Sequence, residues 1–209
     1  MTTPPIFSPL DARVLGVLIE KEKTVPDTYP LSLNTLTLGC NQKTARDPIM
    51  SATESEVLAA LDNLKGYSLI IESSGSRVMR YAHNARRAFK LPEQSVALLA
   101  VLMLRGPQTA GELRTHCDRL HPFGDISSVE AFLEELSEAE WVVRLPKLPG
   151  SREHRWAHLL CGAVDMDALK ANIPLFRPDI IAELQTNVAR LTEEVATLRS
   201  MLENMQTAP

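Results

Sequence analysis

The chain repeats itself, and that constrains its fold more than any other feature. Arg80-Tyr81-Ala82-His83 recurs as Arg155-Trp156-Ala157-His158, and Val57, Leu61 and Leu64 recur as Val129, Leu133 and Leu136 at a constant offset of 72 residues. A tandem duplication of this length means two small units built on one plan, each with its own apolar faces to bury. With 209 residues there is room for two such units and an appendage.

The plan can be read from the periodicity. Ser8-Pro9-Leu10-Asp11 has the chemistry of a helix start, with Ser8 as the N-cap, Pro9 at the first turn and Asp11 at the positive end of the dipole. Leu10, Val14, Leu15, Leu18 and Ile19 then form one helical face. A second helix is predicted from Ser32, carrying Leu33, Leu36 and Leu38 and stopped by Gly39, and a third over Ser55 to Lys65. Leu69 to Ile71 is β-prone, 73–76 is a turn, and Arg77 to Ala82 alternates like a returning strand. Three helices and a hairpin are the order of a winged helix. The second half repeats it, with helices over Pro92 to Leu104, Ala110 to Leu120 and Ser127 to Glu140, and a hairpin from Trp141 to His158. The expected organisation is a mainly α chain with small β-wings (α+β): a flexible N-terminus (1–7), winged-helix domains over 8–84 and 91–160, linkers at 85–90 and 161–179, and a coiled-coil helix over 180–206. The first linker offers only Ala85, Ala88 and Phe89 to bury, so the halves are expected to fold independently.

The tail follows a different period. Ile181, Leu184, Val188, Leu191, Val195, Leu198, Leu202 and Met205 fall at alternating steps of three and four, an a/d seam with Ile, Val, Val and Leu at a and Leu, Leu, Leu and Met at d, and β-branched a with Leu at d favours two parallel strands. Glu194 and Arg199 stand at g and the following e, where they would face each other across a dimer. A homodimer through this helix is therefore expected, the alternative being a helix that folds back on its own domain.

Composition bears on function mainly by exclusion. Hydrophobic residues at 44% and charged residues at 23% belong to a globular chain, and the longest apolar run, Val96 to Leu104, is half of the roughly 20 residues a membrane helix needs. The start has neither basic nor apolar signal regions, so a cytoplasmic protein with no membrane partner is expected. Cys40, Cys117 and Cys161 are widely separated and read as reduced thiols, and the histidines have no metal-ligand spacing and read as isolated surface residues. No P-loop, dinucleotide fingerprint, nucleophile elbow or zinc-protease helix is present, so no enzyme, cofactor, metal or catalytic residue is expected.

A winged helix suggests DNA, with the third helix in the major groove. The charges object: net charge is −4, and Val129 to Glu140 carries five glutamates and no cation, which phosphates spaced about 1.7 Å apart along the duplex axis would repel. The cations lie elsewhere. Candidate nucleic-acid contacts are Arg77 and Arg80 on the first wing and Arg144, Lys147, Arg152 and Arg155 on the second; Arg86, Arg87 and Lys90 lie on the linker. A polar insertion, 41–48, adds Lys43 and Arg46 for phosphate and Asn41 or Gln42 for a base edge. The alternative is that Asn41 and Asp47 cap helix ends while Lys43 and Arg46 are merely solvated. Tyr81 and Trp156 read as core residues, with base stacking as the alternative.

Three further stretches, Leu10-Asp11-Ala12-Arg13-Val14-Leu15-Gly16 through Glu20-Lys21, Thr24 to Asn34, and Cys40-Asn41-Gln42-Lys43 with Arg46-Asp47-Pro48, resemble the YceH family of uncharacterised bacterial proteins. Leu104 to Arg114 and Leu148 to Glu153 agree, so the resemblance covers residues 8 to about 162. It implies tandem winged-helix domains and no catalytic residue. The expected function is a non-enzymatic DNA-binding or transcription-associated factor; the alternative is an adaptor whose acidic helices bind a basic protein.

Overall fold

A computed structural model describes residues 4–75, 78–147, 151, 153–165, 186–196 and 199. Residues 1–164 form one compact unit and 165–209 a second. The fold class is α+β, helices with small antiparallel sheets.

The first half runs α1 (Pro9–Thr24), a 3₁₀ turn (Pro26–Thr28), β1 (Leu31–Ser32), α2 (Leu33–Cys40), α3 (Glu54–Gly66), β2 (Ile70–Gly75) and β3 (Val78–His83). The second runs α5 (Glu93–Arg105), α6 (Ala110–Cys117), α7 (Ile126–Glu138), β4 (Val142–Arg144) and β5 (Trp156–His158), after a short α4 (Ala85–Phe89). The caps explain the boundaries. Ser8 forms a reciprocal capping box with Asp11, Thr53 with Glu56, and Thr109 with Glu112, each pair satisfying two amides that a helix start leaves unpaired. Ser32 and Asp125 cap α2 and α7 by accepting the backbone amides of Thr35 and Ser128.

The duplication extends to the backbone. The second helices match at an offset of 77, each ending on a buried cysteine, Cys40 and Cys117. The third helices match at 72, so the first half holds five extra residues between its second and third helices. Both third helices bury the matched triplets, Val57, Leu61, Leu64 and Val129, Leu133, Leu136. Both end in the same way, with Ser68 and Glu140 in the left-handed region (φ 58° and 59°). The amides of Leu69 and Trp141 then donate back to Leu64 and Leu136 at 3.1 and 2.9 Å, closing a Schellman turn without glycine. In the first sheet, ordered β1-β3-β2, Leu31 pairs with Tyr81; in the second half Gln108 pairs with Trp156 at the corresponding place. Tyr81 and Trp156 are both buried.

The halves are not separated by a linker. Nine consecutive residues of α1, Asp11 to Ile19, are buried, as are ten of α5, Ser95 to Leu104. Such runs arise only when a helix is enclosed on all sides, and here each helix covers the other. Their approach is close because Gly16 has no side chain: a Cβ there would stand 3.0 Å from Leu104 Cγ and 3.4 Å from the Ala100 carbonyl oxygen. Residues 85–90, expected as a linker, include the helix α4, whose Ala85 and Phe89 are buried, Phe89 with its ring 4.7 Å from that of Trp141. The N-terminal segment, expected to be flexible, is anchored at Phe7, which is buried and donates its amide to Leu160 at 2.6 Å.

Two smaller expectations change. Gly39 does not stop α2 but lies inside it against α1, where a Cβ would meet Val17 Cγ1 at 2.7 Å; the helix ends after Cys40. Leu38 points outward, 64% exposed, while Leu36 is fully buried.

In the second unit residues 186–196 are helical, and Val188, Leu191 and Val195 of the heptad seam are exposed. Glu194 pairs with Arg190 of its own helix at 2.6 Å. Ile181, Leu184, Leu198, Leu202 and Met205 lie outside the described residues. No described helix is long and apolar enough to cross a membrane.

Candidate functional site

The insertion is the first place where the sequence suggested nucleic-acid contacts, and most of its polar groups turn inward. Asn41 bonds both backbone groups of Ala52, donating from Nδ2 to the carbonyl oxygen and accepting the amide at Oδ1, each at 2.8 Å. Arg46 is buried. Its Nη1 and Nη2 donate to the two carboxylate oxygens of Glu20 on α1 at 3.1 and 2.6 Å, Nε to the Gly39 carbonyl at 3.1 Å, Nη1 also to the Ala45 carbonyl at 2.8 Å, and Nη2 also to Gln42 Oε1 at 2.7 Å. Beside it the buried Arg13 donates to the Pro48 carbonyl at 2.7 Å. The Asp47 amide donates to the Leu104 carbonyl at 2.8 Å, which ties the insertion to the end of α5. Arg46 is therefore an interior scaffold residue, and the half-buried Asn41 and Gln42 spend side-chain groups on Ala52 and on Arg46. A loop crossing two packed helices leaves carbonyls that need donors, and a guanidinium supplies five in a fixed fork. Burial alone would raise the Glu20 pKa, but the hydrogen bonds and charges of Arg46 and Lys21 outweigh it and hold the carboxyl below the usual range. Of the four insertion candidates, Lys43 is exposed.

The arginines expected on the wings divide. Arg80 Nη1 donates to the Pro30 and Thr28 carbonyls at 2.8 and 3.3 Å, and the matched Arg155 Nη1 donates to the Pro107 carbonyl at 2.8 Å while its Nη2 meets Glu112 Oε1 at 3.1 Å. Both brace the residue that leads into the pairing with Tyr81 or Trp156, a structural duty inherited by both copies. Arg144 and Lys147 are exposed, Arg144 with its guanidinium 6.0 Å from the centroid of Trp156. They line a groove of about 450 Å³ together with Glu130 and Glu134 of α7. Arg77 and Arg152 lie outside the described residues.

The outward faces of the third helices are the surfaces a winged helix would present to a duplex. On α3 this face carries Glu54, Ser55, Leu58, Ala59, Asp62 and Asn63; its one cation, Lys65, is bound by Asp62 at 2.8 Å and Glu72 at 2.5 Å. On α7 it carries Glu130, Ala131, Glu134, Glu135 and Glu138. Neither face offers an unpaired cation.

One site was not expected. A cleft of about 350 Å³ opens where α1, α4 and α5 meet, with His83 in its wall. The His83 ring is 7% exposed; its Nδ1 accepts the Ala85 amide at 3.2 Å, which leaves Nε2 as the protonated nitrogen, 3.2 Å from Glu22 Oε2. That contact chiefly holds the Glu22 carboxyl below its ordinary pKa. Tyr29 fixes the segment by accepting the His83 amide at 2.8 Å, and burial raises its phenol's pKa. The matched His158 is also interior: its Nδ1 is buried without a hydrogen-bond partner, and burial pushes its pKa down to about 4. His83 and His158 are thus interior rather than surface histidines. The signal was present in the sequence, since both close the duplicated Arg-aromatic-Ala-His motif, and a residue kept in both copies at the end of an inward-facing strand is a core candidate. Among the described residues no group of His, Cys, Asp and Glu is arranged to hold a metal. Burial pushes the thiols of Cys40 and Cys117 up to about 12, which makes both inert at neutral pH.

These features define a class: an α+β protein of two matched helix-and-hairpin halves that share one core and present acidic third helices. The chain belongs to the family described as "Protein of unknown function, DUF480", whose family model matches residues 7–151, and with it to the YceH (UPF0502) group of bacterial proteins that its motifs resemble. It is 53% identical over 207 residues to a UPF0502 protein of Leptothrix cholodnii, covering 95% of this chain and 93% of that one. To a UPF0502 protein of Burkholderia multivorans it is 55% identical over 205 residues, covering 95% and 87%. To one of Cupriavidus necator it is 54% identical over 208 residues, covering 95% and 85%.

Proposed function

We propose that this chain is a cytoplasmic, non-enzymatic, tandem winged-helix interaction protein that binds a basic protein partner through the acidic face of α7 and dimerises through its C-terminal heptad helix. The observation that carries this reading is the charge of the third helices: Glu130, Glu134, Glu135 and Glu138 face solvent on α7, and the single cation of α3 is held by two carboxylates. Against a duplex such faces repel; against a lysine- or arginine-rich surface they steer association and fix register. The inward commitment of Asn41, Gln42 and Arg46 supports it further.

DNA binding is the second reading, favoured by the exposed Lys43, Arg144 and Lys147. Gel shifts over genomic fragments at about 50 mM salt, where electrostatic contacts are least screened, separate the two. The interaction reading expects no shift, together with in-cell protein crosslinks from a photo-reactive residue at position 134 that are lost when Glu130 and Glu135 become glutamine. A specific shift abolished by alanine at Lys43, Arg144 and Lys147 gives the function to DNA.

A further inference from the structure

The cleft at the junction of the two halves has a lining that packing alone does not account for. Its floor is apolar, formed by Ile19 of α1, Val96 and Ala97 of α5, and Leu120. Its rim carries Lys23, Arg86 and Arg87 against Glu22 and Glu93, three cations to two carboxylates. Both carboxylates are already engaged, Glu93 in an ion pair with Lys23 and Glu22 with the His83 ring. Arg86 and Arg87 are exposed, and their guanidinium groups make no hydrogen bond or close ion pair among the described residues, Arg86 adding only to the positive charge that holds the Glu93 carboxyl below its usual range. His83 also lines the cleft, its side chain more than nine-tenths buried and its Nε2 turned to Glu22 at 3.2 Å.

From this geometry we infer that the junction cleft is a binding site for a small amphipathic carboxylate, its apolar body on the Ile19–Val96–Ala97–Leu120 floor and its carboxylate between the guanidinium groups of Arg86 and Arg87. The volume lies at the small end of ligand pockets, which run from about 300 to 1,000 Å³. Guanidinium forks match a carboxylate in two parallel hydrogen bonds, and on an already apolar floor the charge orients the ligand while the burial of its body supplies affinity. Because the floor comes from α1 and α5, an occupant touches both halves at once. The site stands on its own lining and does not depend on whether the partner of this protein is a protein or DNA.

Calorimetric titration of the full chain tests this with four probes. 1-Naphthoate and octanoate carry both body and charge, 1-naphthalenemethanol the body alone, and inorganic phosphate the charge alone. The two carboxylates are expected to bind one per chain with a Kd below about 1 mM, and the alcohol and phosphate at least about tenfold more weakly. The double substitution Arg86→Ala/Arg87→Ala should weaken the carboxylates by about tenfold or more while leaving the melting temperature of the unliganded protein unchanged, both side chains being exposed. The imidazole nitrogen resonances of His83 should shift on addition of naphthoate. No binding of either carboxylate up to about 10 mM, equal binding of the alcohol, insensitivity to the double substitution, or an unperturbed His83 would each overturn the assignment.

Discussion

Gly16 of α1 lies against Leu104 of α5 with no room between them, a Cβ at position 16 falling 3.0 Å from Leu104 Cγ. Through this contact two copies of a duplicated unit share one buried core, since the most enclosed helix of each half is covered by the other.

The first prediction is that the halves do not fold alone. Residues 1–88 and 88–162 made separately each expose a helix that is buried along nine or ten consecutive residues in the intact chain, and each fully buried Leu, Ile or Val on such a face contributes about 1.5–3 kcal/mol. Each piece should be molten or aggregated by circular dichroism and thermal melting, and the intact chain should unfold in one transition. Gly16→Leu, which overpacks the contact, should lower stability by about 1–3 kcal/mol. Cooperative unfolding of either isolated half would refute the shared core.

The second concerns Glu20 and Arg46. Arg46→Ala leaves a largely buried carboxylate and several carbonyls without their donor, and a cost of about 3–5 kcal/mol is expected in chemical denaturation. The pH dependence follows from the depressed Glu20 pKa. Its contribution is complete above the unfolded carboxylate value of about 4.3 and is lost as pH falls through the lower folded value. Glu20→Gln should therefore flatten the acid limb of the stability curve, and an unchanged acid limb would show that the pair contributes nothing there.

His158 gives the third. Its folded pKa, near 4, lies below the unfolded value of about 6.5, so the unfolded chain binds more protons between the two and stability rises with pH across that window. The contribution is present above about 6.5 and lost progressively towards 4, with a full extent on the order of 3 kcal/mol. Denaturation midpoints of His158→Phe compared with the parent at pH 7.5 and 5 measure it: the parent should lose more stability than the variant on acidification.

The fourth is the oligomeric state. Val188, Leu191 and Val195 are exposed on a helical segment of a seam that continues by sequence to Met205, and such a stripe needs a partner helix. Light scattering should give a dimer for the full chain, and a monomer both for a truncation ending at Phe176 and for Leu191→Asp. A truncation that stays dimeric would place the interface elsewhere.

The sequence by itself determined the local grammar. The caps at Ser8, Ser32 and Thr109, the inward triplets of both third helices, the matched hairpins and the burial of Tyr81 and Trp156 all depend on neighbours within a few residues or on the period of one element, so they are written in short stretches of chain. The match between copies even carried the interior placement of His83 and His158, although two isolated histidines read as surface residues. Only the tertiary structure decided what depends on how distant segments meet. Arg46 looks like a surface cation until Glu20, 26 residues earlier, and the Gly39 carbonyl are brought against it. Gly39 looks like a helix stop until Val17 is packed over it. Residues 85–90 look like a linker until Phe89 meets Trp141. A charged side chain has the same local signature whether water or a buried carboxylate solvates it, and the choice between them is made by packing across the fold, where the free energy of burying an ion depends on the partner it finds.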